Sequence, residues 1–138
     1  MGNFKKHFIF VFFMICGFCC YAGQISIQVV QHDKIQKNLS ENSLVIEDEL
    51  LTGFFENGYI VTNSPAMTSD SKGSDEKCFS IGMNDAFNGY SDYFVQIKLY
   101  YDGEKSDLSK VNWTLYSVST GEKLEDSFIN EFVMTKEN

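Results

Sequence analysis

SLVIEDELLTGFFENGYIVTN, Ser43 to Asn63, reads as an amphipathic helix, a glycine stop and a buried strand, and the rest of the chain is placed against it. Ile46, Leu50, Leu51, Phe54 and Phe55 recur at three- and four-residue spacing, while Glu47, Asp48, Glu49, Thr52 and Glu56 occupy the other face. This is the pattern of a helix laid on a core. Asn57-Gly58 ends it, because Gly just past a helix adopts the left-handed conformation at no steric cost. Tyr59-Ile60-Val61 is short, aromatic and β-branched, and reads as strand.

Upstream, Gln24 to Val30 alternates Ile25, Ile27 and Val29 with polar residues, a strand. His32 to Asn42 is polar and leads into the helix, with Ser40 or Ser43 as N-cap. Downstream, Asn63 to Ser74 holds the only proline together with Ser, Thr, Gly and Asp, and reads as an exposed loop. A second helix is expected from about Asp75 to Asn88, with Phe79, Gly82, Met83, Ala86 and Phe87 on one face. Its end, Phe87-Asn88-Gly89-Tyr90, echoes Phe55-Glu56-Asn57-Gly58-Tyr59, so Gly89 is expected to stop this helix as Gly58 stops the first. Tyr93 to Tyr101 alternates as a strand and should pair antiparallel with Val111 to Val118 across the polar turn Asp102 to Lys110. Gly121 sits in a further tight turn. In the tail, Leu124, Phe128, Ile129, Phe132 and Val133 fit a helix better than an alternating strand, and either continuation remains open. The pattern predicts an α+β class with an α/β-like front half, β-α-β-α-β-β, helices packed on a mixed sheet.

The chain is long enough for one domain, taken as residues 23–138. Lys5 and Lys6, the apolar run Phe8 to Cys20 and the end Cys20-Tyr21-Ala22 predict a signal peptide over residues 1–22, cut after Ala22. An uncleaved anchor and a lipidated cysteine are the alternatives. The apolar run is shorter than the roughly 20 residues that span a bilayer, and a lipoprotein signal wants a small residue directly before the modified cysteine, whereas Ile15, Phe18 and Cys19 precede Cys16, Cys19 and Cys20. Cleavage leaves Cys78 as the only cysteine, so no internal disulfide forms, and no stable membrane span remains. It also leaves nine lysines against 19 acidic residues, a net charge of −10, with no arginine anywhere. Such a surface cannot track a phosphate backbone, so nucleic acid and anionic lipid are poor partners.

No residue is singled out as catalytic, cofactor-binding or metal-ligating, and no cofactor is called for. A Cys-His nucleophilic pair would have to be built from Cys78 and His32, and Cys78 beside Phe79 reads better as a small buried hydrophobe. Asp70-Ser-Lys-Gly-Ser-Asp75 and Asp102-Gly-Glu-Lys-Ser-Asp107 cluster oxygens as calcium loops do, but each carries a lysine inside the cluster. Asn38-Leu39-Ser40 and Asn112-Trp113-Thr114 match glycosylation sequons, relevant only in a eukaryotic secretory path.

Gly58-Tyr59-Ile60-Val61, then Gly89-Tyr90-Ser91-Asp92-Tyr93-Phe94-Val95, then Leu115-Tyr116-Ser117-Val118-Ser119-Thr120-Gly121 follow in order. Together, over roughly Gln24 to Leu124, they resemble the small α/β envelope domain of the family that includes the curli-secretion lipoprotein CsgG and the penicillin-binding-protein activator LpoB. Ser91 stands where that family usually has Ala. The resemblance implies a protein-binding module and not an enzyme, with another envelope protein as partner and a periplasmic or extracellular location. The alternative is a small-ligand-binding or hydrolytic secreted domain whose site the sequence leaves unlinked.

Overall fold

The computed structural model describes residues 23–102, 104 and 107–130. The segment read as a signal peptide, residues 1–22, and the end of the tail, 131–138, lie outside the described residues. The elements run β1 (Gln24–Asp33), α1 (Glu41–Glu56), β2 (Ile60–Asn63), β3 (Met67–Thr68), α2 (Lys72–Asn88), β4 (Tyr93–Asp102), β5 (Asp107–Ser117) and β6 (Lys123–Ile129). One mixed sheet has the order β2-β1-β4-β5-β6, with β3 pairing β1 beyond the end of β2. β1 is parallel to β2, β3 and β4, while β4-β5-β6 is an antiparallel meander. The class is α+β, as the sequence pattern predicts.

The topology places the helices on opposite faces. From β1 the chain crosses through α1 to β2 on one side, then returns through α2 to β4 on the other side of β1. Right-handed crossovers taken in opposite directions put their helices on opposite faces of the sheet. Ile46, Leu50 and Phe54 of α1 accordingly close a core with Ile25, Ile27, Val29, Val95, Ile97 and Leu99. On the alternate strand positions, Gln28 and Phe94 lie against α2 at Gly82, where an added Cβ would meet the Phe94 ring at 2.5 Å and the Gln28 carboxamide at 2.8 Å.

β1 is therefore buried on both faces, as central parallel strands are. Its alternating polar residues Ser26 and Gln28 are in the interior. Gln28 and Gln96 are satisfied there: Gln96 Nε2 donates to Gln28 Oε1 at 2.9 Å, and Gln28 Nε2 donates to the Cys78 carbonyl at 2.8 Å.

Six expectations are corrected. β2, read as a buried strand, is exposed at three of its four positions because it ends the sheet order, and Phe55, counted with the core stripe of α1, is exposed. α2 starts at Lys72 and not near Asp75, because Ser71 caps it by accepting from the Ser74 N–H at 3.1 Å. Asn63 to Ser74 is not simply an exposed loop: it carries β3, and its Ser64 and Ser69 are buried and donate backbone N–H groups to Ile27 and Gln31 of β1. The tail, where a helix fitted better, is a strand as far as Ile129, in register with β5 from Val111↔Ile129 to Leu115↔Glu125. Leu124 and Phe128, which would have formed one helical stripe, are 48% and 56% exposed. Finally, Gly89 is not left-handed: it caps α2 with φ −85°, and the following Tyr90 takes the positive φ, 59°.

Candidate functional site

In open α/β sheets small ligands bind beyond the carboxyl ends of the strands, at the point where the strand order reverses. Here that point lies between β1 and β4, and the protein's own side chains occupy it. On the α1 side, the buried Gln31 carboxamide accepts from the Ser40 N–H (2.8 Å) and the Ser43 hydroxyl (2.7 Å) and donates to the Asn38 carbonyl (3.0 Å). The Ser43 hydroxyl also meets the Tyr101 hydroxyl at 2.9 Å. The N-terminal end of α1, the natural anion site of such a fold, is thus already hydrogen-bonded. Ser40 is its N-cap, accepting from the Ser43 N–H.

On the α2 side of the same crevice, Asp75 in the first turn of α2 accepts from the Ser69 hydroxyl at 2.6 Å and lies 3.8 Å from Lys98 Nζ. His32 Nε2 is 3.1 Å from the same carboxylate, out of line for a hydrogen bond, and its ring stacks on Tyr100 at 4.5 Å. Burial holds His32 below its ordinary pKa in spite of the Asp75 charge. Cys78 is buried with Sγ 3.8 Å from the Thr68 carbonyl, and burial, aided by Asp75, pushes its thiol up. An activated nucleophile needs the opposite shift. In the Asp70–Asp75 loop, the Asp70 carboxylate accepts from the Ser74 hydroxyl and that of Asp75 from Ser69. Among the described residues no three His, Cys, Asp or Glu side chains are grouped to hold a metal. The Asp102–Asp107 turn lies partly outside the described residues.

The opposite end of the sheet, at the amino ends of β1 and β4, is open. Both helices finish there in the same hydrogen-bond motif, in which one N–H past the last turn donates to the carbonyl five residues back and the N–H before it donates to the carbonyl three residues back. At α1 the bonds are Tyr59 N–H to Phe54 O (3.1 Å) and Gly58 N–H to Phe55 O (3.0 Å). At α2 they are Ser91 N–H to Ala86 O (2.9 Å) and Tyr90 N–H to Phe87 O (3.1 Å). Gly58 therefore holds the left-handed position of the first motif, with φ 88°, and Tyr90 holds that of the second. The shared Asn-Gly-Tyr is used one residue out of step. The signal was in the sequence: Glu56 separates Phe55 from Asn57, and nothing separates Phe87 from Asn88.

Beside the end of α2 an open groove of ≈ 360 Å³ is lined by Phe87, Tyr90, Asp92, Tyr93, Ser117 and Val118, among others. Phe87 is 63% and Tyr90 89% exposed. Asp92 fixes the groove to the sheet: its carboxylate accepts from the Gln24 N–H (2.9 Å), its N–H donates to the Gln24 carbonyl (2.8 Å), and its carbonyl accepts from the Val118 N–H (3.1 Å). Ser91, also in the lining, is buried, and its hydroxyl has no hydrogen-bond partner. A second open depression, of ≈ 390 Å³, lies where α2 flanks the meander, lined by Phe79, Gln96, Lys98 and Tyr116 among others. Next to it, Lys110 Nζ sits 5.3 Å from the Tyr100 ring centre and 5.2 Å from that of Phe128.

Residues 24–136 match the model of a family described as "Uncharacterised protein", and the chain belongs to that family. No curated protein matches it in sequence. Among solved structures it is similar to the C-terminal domain of LpoB from Escherichia coli, with a TM-score of 0.54 at 16% identity, covering 94% of this chain and 99% of that one. It is also similar to the C-terminal domain of LpoB from Salmonella enterica, with a TM-score of 0.52 at 16% identity over 86% and 91% of the two chains. A lipoprotein of Neisseria meningitidis, GNA1162, overlaps at 0.47 and 10% identity over 77% and 79%. At such identities the LpoB likeness is one of fold, and at that level it agrees with the resemblance carried by the three sequence motifs. No described helix is long and apolar enough to cross a membrane.

Proposed function

We propose that this protein is an exported, non-enzymatic accessory of the bacterial cell envelope that binds another envelope protein, its residues 1–22 serving as a cleaved signal peptide. The observation that carries this reading is the contrast between the two ends of the sheet. The end where a fold of this kind takes small ligands is filled by Gln31, Ser43 and Tyr101, whereas the other end presents exposed aromatic side chains around a groove. Aromatic residues are what protein interfaces concentrate. The LpoB-like fold and the sequence resemblance to an envelope protein-binding family support the same role. The raised thiol of Cys78 and the depressed pKa of His32 speak against the hydrolytic alternative built on that pair.

Site-specific photo-crosslinking in the producing cell tests it. With a photoreactive amino acid in place of Phe87 and, separately, of Phe128, a discrete adduct to one envelope protein is expected from at least one position. Absence of any adduct from both positions would contradict the reading, and saturable binding of a small molecule at the β1–β4 crevice would favour the alternative.

A further inference from the structure

Tyr90 is the only non-glycine residue with positive φ among the described residues, in a conformation that crowds Cβ against backbone and that bulky residues rarely adopt. Such strain is ordinarily offset by packing of the side chain, but this ring is 89% exposed. Glycine would satisfy the same hydrogen bonds without strain, as Gly58 does at the end of α1. Stability therefore does not account for a tyrosine here, and a contact made by its ring does.

The surroundings define the chemistry of that contact. Phe87 exposes a second ring on the same groove, Ser91 contributes a buried hydroxyl without a partner, and Asp92 contributes a carboxylate. The last turn of α2 contains no basic residue, so the negative end of the helix dipole is uncompensated. Glu122 lies in the adjoining β5–β6 turn, and the nearby Lys123 is engaged by Asp126 at 2.8 Å. Over the whole chain 19 acidic residues face 11 lysines and no arginine. Aromatic faces, a carboxylate and a helix C-terminus without a basic residue all favour a cation.

We propose that the Phe87–Tyr90 groove is the docking site for a basic, arginine- or lysine-bearing segment of the partner protein, with the cationic head groups over the two rings and against Asp92. This rests on the protein-binding reading above and assigns its surface and the charge of its partner.

Hexa-arginine peptide titrated into the isotope-labelled exported protein, with hexa-glutamine as control, tests it by NMR. Saturable shifts are expected at the amides of residues 87–93 and 117–119, with affinity reduced roughly fivefold by Tyr90→Gly and by Asp92→Asn. Tyr90→Gly leaves the net charge unchanged and relieves strain, so lost binding cannot come from misfolding or from a weaker overall field. No saturable binding, shifts scattered over the acidic surface, or undiminished binding by Tyr90→Gly overturns the proposal. If the crosslinked partner is captured from position 128 and not from 87, this assignment fails while the protein-binding reading stands. If neither position captures one, the protein-binding reading itself fails.

Discussion

The two helices that enclose the sheet have the same length to within one residue, end in the same hydrogen-bond motif and carry the same Asn-Gly-Tyr, yet they do different work. α1 packs by bulk: Ile46, Leu50 and Phe54 fill the space over the aliphatic positions of β1 and β4. α2 packs by closeness: Cys78, Gly82 and Ala86 are its buried residues, and the sheet answers with Phe94 and the Gln28–Gln96 pair. At its end α1 places glycine in the left-handed position and turns Tyr59 inward against Phe54. At its end α2 places tyrosine there and turns it out to solvent. One helix is built for the core, and the other gives up some stability for a surface.

The largest effect that sharpens the contrast is expected in the α1 layer. Leu50 is fully buried, and Leu50→Ala should cost about 2 to 5 kcal/mol through lost burial and the cavity left behind. A chemical denaturation curve measures it, and a cost under about 1 kcal/mol would mean that the α1 layer is not the main core.

In the α2 layer the expected damage comes from adding atoms. Gly82→Ala puts a methyl within 3 Å of the Phe94 ring and of the Gln28 carboxamide, and overpacking of this kind costs about 1 to 3 kcal/mol. A smaller loss with Gly82→Ala than with Gly73→Ala, where the Cβ meets nothing within 4 Å, would break the close-approach account.

The helix ends separate at the next level. Gly58→Ala forces a Cβ into a left-handed position and should cost about 1 kcal/mol. Gly89→Ala meets only a tight contact with the Asp85 carbonyl at 3.2 Å, at negative φ, and should cost less. Equal losses at the two glycines would restore the symmetric reading of the repeat.

The pH dependence of stability is a further mark of the α2 side. His32, facing Asp75, Lys98 and Tyr100, has a folded pKa below 6.5, so the unfolded chain takes up the proton first. The stability contributed by neutral His32 is present above about pH 6.5 and is lost as pH falls toward the folded pKa. Glu47, raised by burial, acts with the opposite sign, so the difference between the protein and His32→Gln across pH 5 to 7 isolates the histidine. A flat difference would show that its burial carries no such penalty.

Much of this was legible in the sequence, and the misses share a cause. The α1 stripe, the β4 alternation and the hairpin follow from period and turn chemistry, which are local. Burial of Ser26, Gln28 and Gln96 was not legible, because a polar residue at an alternating position looks the same whether it faces water or a helix covering the second face. The tail read better as a helix because Leu124, Phe128 and Ile129 fit that spacing as readily as a strand, and only pairing with β5 decides between them. The candidate groove escaped altogether. Its distinguishing features are one residue of register between two similar helix ends, marked in the sequence only by the extra Glu56, and an exposed ring, which has no signature there.

The central claim is that Tyr90 is kept in a strained, exposed position at the expense of the fold. The thermal melt of Tyr90→Gly against the unaltered protein tests it most directly. Relief of the left-handed strain should stabilise by about 1 kcal/mol, raising Tm by on the order of 4 °C for a domain of this size. An unchanged or lowered Tm would contradict the account and return Tyr90 to an ordinary structural role.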